Sequence, residues 1–319
     1  MSSSDRPGAG DRNPGTSVDN ALAGMTPAEL DARSIAELDA GRLPLRAQQR
    51  LATMRADQAF TSSLSVDEHH AIRSVGFSPV GQVMGTCVVH PGAYALSGCG
   101  YYGYGMSYQW GSAPIVVAQQ VEAALTSARH SAVSRMLQEC VGLRGDGIVG
   151  VRLTMEQFIA GGIEVQAIGT AVRADGDVRP PAPFTSDLTG QDFAKLILGG
   201  WLPAGLVMGT SVLIRHDDYT TAWQSGSWNN TEVTGITDLV TSTRERARTT
   251  LQSDAARFGA QHVVLRDLNL WVSHQRCQSG NEGEDHVAES LAIGTALVPL
   301  RHGHATEVPR PLAILRLTK

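Results

Sequence analysis

At 319 residues the chain is long enough for two ordinary domains, and 42% hydrophobic with 18% charged residues is the make-up of a soluble globular protein. A net charge of −5 argues against nucleic-acid binding. Four cysteines without regular spacing, Cys87, Cys99, Cys140 and Cys277, are too few for a disulfide framework, so a reducing, cytoplasmic setting is expected.

Residues 1–25 lack the apolar segment of a secretory signal, and their Ser, Gly, Pro and Asp content predicts a disordered tail. Thr26-Pro-Ala-Glu29 then spells a capping box with proline at the first helical position. In the helix that follows, Leu30, Ile35 and Leu38 share a face and Gly41 ends it. A second helix runs from Leu45 to about Asp57, apolar at Leu45, Leu51 and Met54 and basic at Arg46, Arg50 and Arg55. A helical arm this short (26–57) cannot fold alone and must dock on something, which makes it a candidate contact for a protein partner.

Beyond the arm the chain is written twice. Phe60-Thr-Ser-Ser-Leu64 and Val83-Met-Gly-Thr86 recur as Phe184-Thr-Ser-Asp-Leu188 and Val207-Met-Gly-Thr210, both 124 positions later. Ala167-Ile-Gly-Thr-Ala-Val172 recurs as Ala292-Ile-Gly-Thr-Ala-Leu297. This divides the chain into copies at 58–173 and 184–300, with a stiff Pro-rich linker at 174–183 and a tail at 301–319. Each copy reads as a short helix, an apolar strand (Val80 to Val89; Ala204 to Ile214), an aromatic loop, a long helix and a β-hairpin. Val117, Val121, Leu125, Ala128, Ala132, Met136 and Cys140 mark the first long helix, which Gly145 ends. Ile236, Leu239 or Val240, Thr243, Ala247, Leu251, Ala255 and Phe258 mark the second, ended by Gly259. The hairpins pair Val149–Phe158 with Ile163–Arg173, and Val263–Val272 with Val287–Val298.

The predicted class is α+β, two tandem β-α-β-β layers with one helix on each small sheet. Such a layer leaves one sheet face bare, to be covered by the sister copy or another subunit. The uncharged run Leu196–Ile214 approaches membrane-spanning length, but its glycines and Pro203 suit strand and turn, and its counterpart Ile72–His90 carries Arg73. No membrane span is expected.

The succession of long helix, Gly145-Asp-Gly-Ile-Val-Gly-Val-Arg152, hairpin and Ala167-Ile-Gly-Thr-Ala-Val172 resembles the YbjQ-like heavy-metal-binding domain family. Phe258-Gly-Ala-Gln-His-Val-Val-Leu-Arg266 with Ala292-Ile-Gly-Thr-Ala296 is similar to a more divergent member. The resemblance implies a dodecin-like subunit that assembles into pentameric rings, and it implies no enzyme activity.

Candidate sites fall into three groups. Cys87 and His90 point to opposite faces of a strand and read as core. His274, Cys277 and His286, with Glu282, Glu284 and Asp285 nearby, are the better metal candidates, for zinc or another transition metal; the first copy has no equivalent. His302 and His304 are weaker. No cofactor is required by any motif: Gly145-Asp-Gly147 follows a helix, where a phosphate loop would precede one. The third group is aromatic: Tyr101, Tyr102, Tyr104 and Trp110 in one loop, and Trp223 and Trp228 in its counterpart. Tyr and Trp on flexible backbone make adhesive surface, which favours subunit packing over a ligand-binding loop. The expectation is a non-enzymatic homo-oligomer, five chains favoured, with metal handling as the alternative.

Overall fold

The computed structural model describes residues 24–56, 61–90, 113–158, 161–177, 179–277 and 284–300. In chain order they form α1 (Pro27–Asp39), α2 (Leu45–Ala56), α3 (Val66–Ser74), β1 (Phe77–Val89), β2 (Ile115–Val117), α4 (Gln119–Gly142), β3 (Gly147–Phe158), β4 (Gly162–Ala174), β5 (Phe184–Thr185), α5 (Gly190–Leu198), β6 (Trp201–His216), α6 (Tyr219–Ser225), α7 (Thr234–Ala256), β7 (His262–Arg276) and β8 (Glu284–Pro299). The class is α+β, as expected. One sheet has the order β1-β4-β3-β5 and the other β2-β6-β8-β7. Pairing is antiparallel except between β3 and β5.

The internal repeat has a physical cause in each of its motifs. Gly85 and Gly209 lie where a strand passes under its long helix: an added Cβ would sit 2.0 Å from the Ala132 carbonyl oxygen in one sheet and 1.9 Å from that of Ala247 in the other. Seven residues further along each helix a carboxylate accepts a strand amide, Glu139 from Met84 N at 2.7 Å and Asp254 from Met208 N at 2.9 Å. The Phe-Thr-Ser and Gly-Thr-Ala motifs meet each other. Thr170 Oγ1 accepts from Ser63 N at 3.3 Å, and Thr295 Oγ1 accepts from Asp187 N at 3.1 Å. Each motif ties the segment before a short helix onto the last strand of its own sheet.

The layers run sheet, helix, sheet, helix. α4 packs on the first sheet through Ala128, Ala132, Met136 and Cys140, and the same cluster takes in Leu206, Met208, Leu291 and Ile293 of the second sheet. The face that β-α-β-β leaves bare is thus covered, in the second sheet, by the helix of the first copy. α7 packs on that sheet's other face through Ala247, Leu251 and Ala255. At one end, α3 and α5 cover the far face of the first sheet, burying Ile72 and Phe193 against Val149 and Val172. Further along that face Arg152, Thr154 and Glu156 are exposed. The short strands cross between copies: β2 pairs with β6, and β5 with β3.

Several local expectations are corrected. The first long helix begins at Gln119, because Ile115–Val117 is drawn off as β2. Its end is turned by Arg144 at φ +58°, while Gly145 is packed so tightly that a Cβ would meet Cys140 Sγ at 2.7 Å; in the second copy Gly259 does take the left-handed turn, at φ +59°. The Asp217–Trp228 stretch, read as a loop, contains α6, capped by Asp218. Leu196–Ile214 runs from α5 into β6, and among the described residues no helix is long and apolar enough to cross a membrane.

The arm docks on its own chain. Thr26 and Glu29 make the capping box, and Gly41 turns at φ +72°. α1 buries no residue, whereas Leu51 of α2 is buried, Arg50 pairs with Glu139, and Arg55 Nε donates to the Gly142 carbonyl at 2.7 Å.

Candidate functional site

The aromatic candidates Tyr101, Tyr102, Tyr104 and Trp110 lie outside the described residues. Trp223 on α6 and Trp228 just beyond it are on the surface, the latter fully exposed.

The metal candidates separate by strand parity. His274 faces its register partner His286 across β7 and β8, on the side of the sheet where Ala288 and Ala292 meet α7. His274 is exposed, and His286 Nε2 is 2.9 Å from Asp217 Oδ1. Cys277 lies just past β7 and packs on the opposite face, beside Ala118, Val121, Val212, Ile214 and Val287. These three candidates therefore do not converge. Cys277 instead meets His216 and Asp285, one ligand atom from each lying within 4.8 Å of the others. His216 ends β6 and Asp285 is the second residue of β8; their side chains are almost wholly buried, with Nδ1 and Oδ1 2.7 Å apart. The sequence reading stopped β6 at Ile214 and so missed His216. The signal was present in the period-two alternation that places Asp285, and not its neighbour His286, on the α4 side.

Among the described residues Cys87 and His90 join no such group. Burial pushes the Cys140 thiol up to about 12, consistent with a packing group deep in the core.

A cavity of about 230 Å³ lies between α4, β6 and α7, lined by residues that include Arg129, His130, Thr210, Ser253 and Asp254. Arg129 is buried, donating to Thr210 Oγ1 at 2.8 Å and pairing with Glu289. Burial lowers the His130 imidazole, with Asp254 opposing. Asp254 already accepts from Met208 N and Arg257, and no hydrogen bond joins His130 to Ser253. The arrangement is a satisfied structural network rather than a nucleophile with its base.

The second sheet ends in an apolar edge. Among the described residues β7 pairs only with β8, and Val264, Leu265, Trp271 and Val272 are each 39–46% exposed. Beside it a cavity of about 570 Å³ is bounded by Leu188, Leu196, Trp201, Val264 and Leu265.

A family model described as "Putative heavy-metal-binding" (YbjQ) matches residues 117–175, the span from β2 through β4. Over 231 residues the chain is 36% identical to the encapsulin nanocompartment protein Rv1762c of Mycobacterium tuberculosis, covering 68% of this chain and 80% of that protein. It is 47% identical over 49 residues to a UPF0145 protein of Archaeoglobus fulgidus and 39% identical over 49 residues to one of Vibrio campbellii. Each of those matches covers 15% of this chain, and 45% and 47% of the relative respectively.

Proposed function

The chain belongs to the family of the encapsulin nanocompartment protein of Mycobacterium tuberculosis, and on that premise we propose that it is a non-enzymatic, self-assembling component of a protein nanocompartment. The observation that carries this reading is the edge of the second sheet. A strand of 15 residues with one side unpaired among the described residues and four exposed apolar side chains is a template for another chain. Natural monomers blunt such edges; an assembling subunit pairs them. In this reading 58–173 and 184–300 are tandem YbjQ-like units, the β7 edge is a subunit contact, and five chains close a ring in the cytoplasm. Trp223 and Trp228, with the loop of Tyr101, Tyr102, Tyr104 and Trp110, add contact surface. The exposed α1 face of the 26–57 arm is left for a protein partner. Native mass spectrometry and light scattering at micromolar concentration test the proposal. A closed oligomer is expected, with five chains favoured, and a monomer would overturn it.

A further inference from the structure

We propose that His216, Cys277 and Asp285 form a transition-metal site suited to zinc. The three supply a neutral imidazole nitrogen, a thiolate and a carboxylate, the donor set zinc accepts, and the two negative charges balance a divalent ion. Around zinc, ligand bonds of about 2.0–2.3 Å in a tetrahedron place donor atoms roughly 3.5 Å apart. Reaching that value from the present separations, within 4.8 Å, takes shifts of about 1 Å: Cys277 moves in, and the His216–Asp285 pair, now 2.7 Å apart, opens to admit the ion. His216 and Asp285 are pinned by register on β6 and β8, and both are buried. Three protein ligands leave a fourth position for water or an outside donor. Binding sends the Cys277 thiol proton to solvent.

The site lies outside residues 117–175, the span matched by the heavy-metal family model, and belongs to the second sheet alone. The first hairpin pairs Phe158 with Gly162 and turns there, too early to offer a counterpart of Cys277.

The test uses the full chain, reduced and stripped with chelator, titrated with Zn²⁺ by calorimetry and with Co²⁺ by absorption. One equivalent per chain is expected, with a thiolate-to-cobalt charge-transfer band. Cys277→Ser removes the band and weakens Zn²⁺ binding by at least about tenfold; His216→Gln and Asp285→Asn weaken binding by a similar factor but keep the band at saturating Co²⁺. His274→Ala binds like the parent. Because His216 is buried and its substitution can unfold the chain, Cys277→Ser decides the outcome once circular dichroism shows it folded. No stoichiometric binding, a band that survives Cys277→Ser, or an equal loss in His274→Ala overturns the site. The mass of the same samples separates this inference from the assembly reading: an oligomer that binds no metal rejects the site alone, and a monomer that binds metal rejects the assembly alone.

Discussion

The two long helices lie at equivalent places on their sheets but in different surroundings. The close contacts at Gly85 and Gly209 equate Ala132 with Ala247, and the carboxylates on Met84 N and Met208 N equate Glu139 with Asp254. By that register Arg129 corresponds to Arg244 and Val133 to Arg248. Arg129 and Val133 are buried, while Arg244 and Arg248 are exposed. α4 serves two sheets and α7 serves one. A duplicated scaffold has therefore kept its helix-on-strand contact and changed what the far side of the helix must be. A helix between two sheets has to be apolar on both sides, and any charge left there needs a partner.

The largest effect should fall on that partnered charge. Arg129→Ala leaves Glu289 beside an unfilled space and should cost about 3–5 kcal/mol in denaturant unfolding, whereas Arg244→Ala should stay within about 0.5 kcal/mol. Equal costs at the two positions would erase the distinction between the helices. The shared contact predicts the reverse pattern, one of equality. Gly85→Ala and Gly209→Ala each drive a methyl into helix backbone, which cannot swing away as a side chain can. Each should destabilise by about 1–3 kcal/mol, and by similar amounts. A large asymmetry in thermal denaturation would mean that the two helices do not sit on their strands alike.

How much of this was legible beforehand follows from the same comparison. Local rules work where the cause is local: the Thr26–Glu29 capping box, the Gly41 turn and the long amphipathic helices could all be read. The β-α-β-β order could be read because it is written twice. What escaped was set by tertiary partners. Arg129 and Val133 break the single apolar stripe of α4, and only a second sheet overhead explains why they are buried; Glu139 is buried instead between Met84 N of the first sheet and Arg50 of the arm. β2 and β5 are three and two residues long, too short for any periodicity, and exist because the other copy's sheet offers an edge. At the candidate metal site Cys277 was picked out by residue type, but its company was not. His216 and Asp285 come together through strand register across 69 residues, which no spacing rule along the chain encodes.

The sheet edges carry a smaller and more specific expectation. By strand register β3 presents Glu156 and Gln157 where β7 presents Trp271 and Val272, and Arg152 and Thr154 are exposed beside them. If the apolar edge is a subunit contact, Trp271→Lys with Val272→Lys should weaken assembly by at least about tenfold, roughly 1.4 kcal/mol, at unchanged circular dichroism. Arg152→Ala with Thr154→Ala on the polar edge should leave the mass distribution as it was. An oligomer indifferent to the β7 pair would move the contact elsewhere on the chain.

The smallest effect concerns a contact that α4 has and α7 lacks. Glu139 receives Arg50 from the arm, while its counterpart Asp254 receives Arg257 from its own helix. Within the arm Glu37 joins α1 to the turn and to α2. It accepts from Arg42 at 2.7 and 2.9 Å and from Gln48 at 3.0 Å, bonds that hold its carboxyl at about 2 in place of 4.5. Since the folded value is the lower one, this support is complete above pH 4.5 and is lost as pH falls toward about 2. The pair sits at the surface, where solvent and salt screen it, so acid should loosen the arm without unfolding the sheets. Carboxyl-carbon NMR should find the Glu37 midpoint near 2, with Arg42→Ala moving it toward 4.5. A parent midpoint already at 4.5 would mean that Arg42 does not hold Glu37 in solution, and that the arm reaches α4 through Leu51, Arg50 and Arg55 alone.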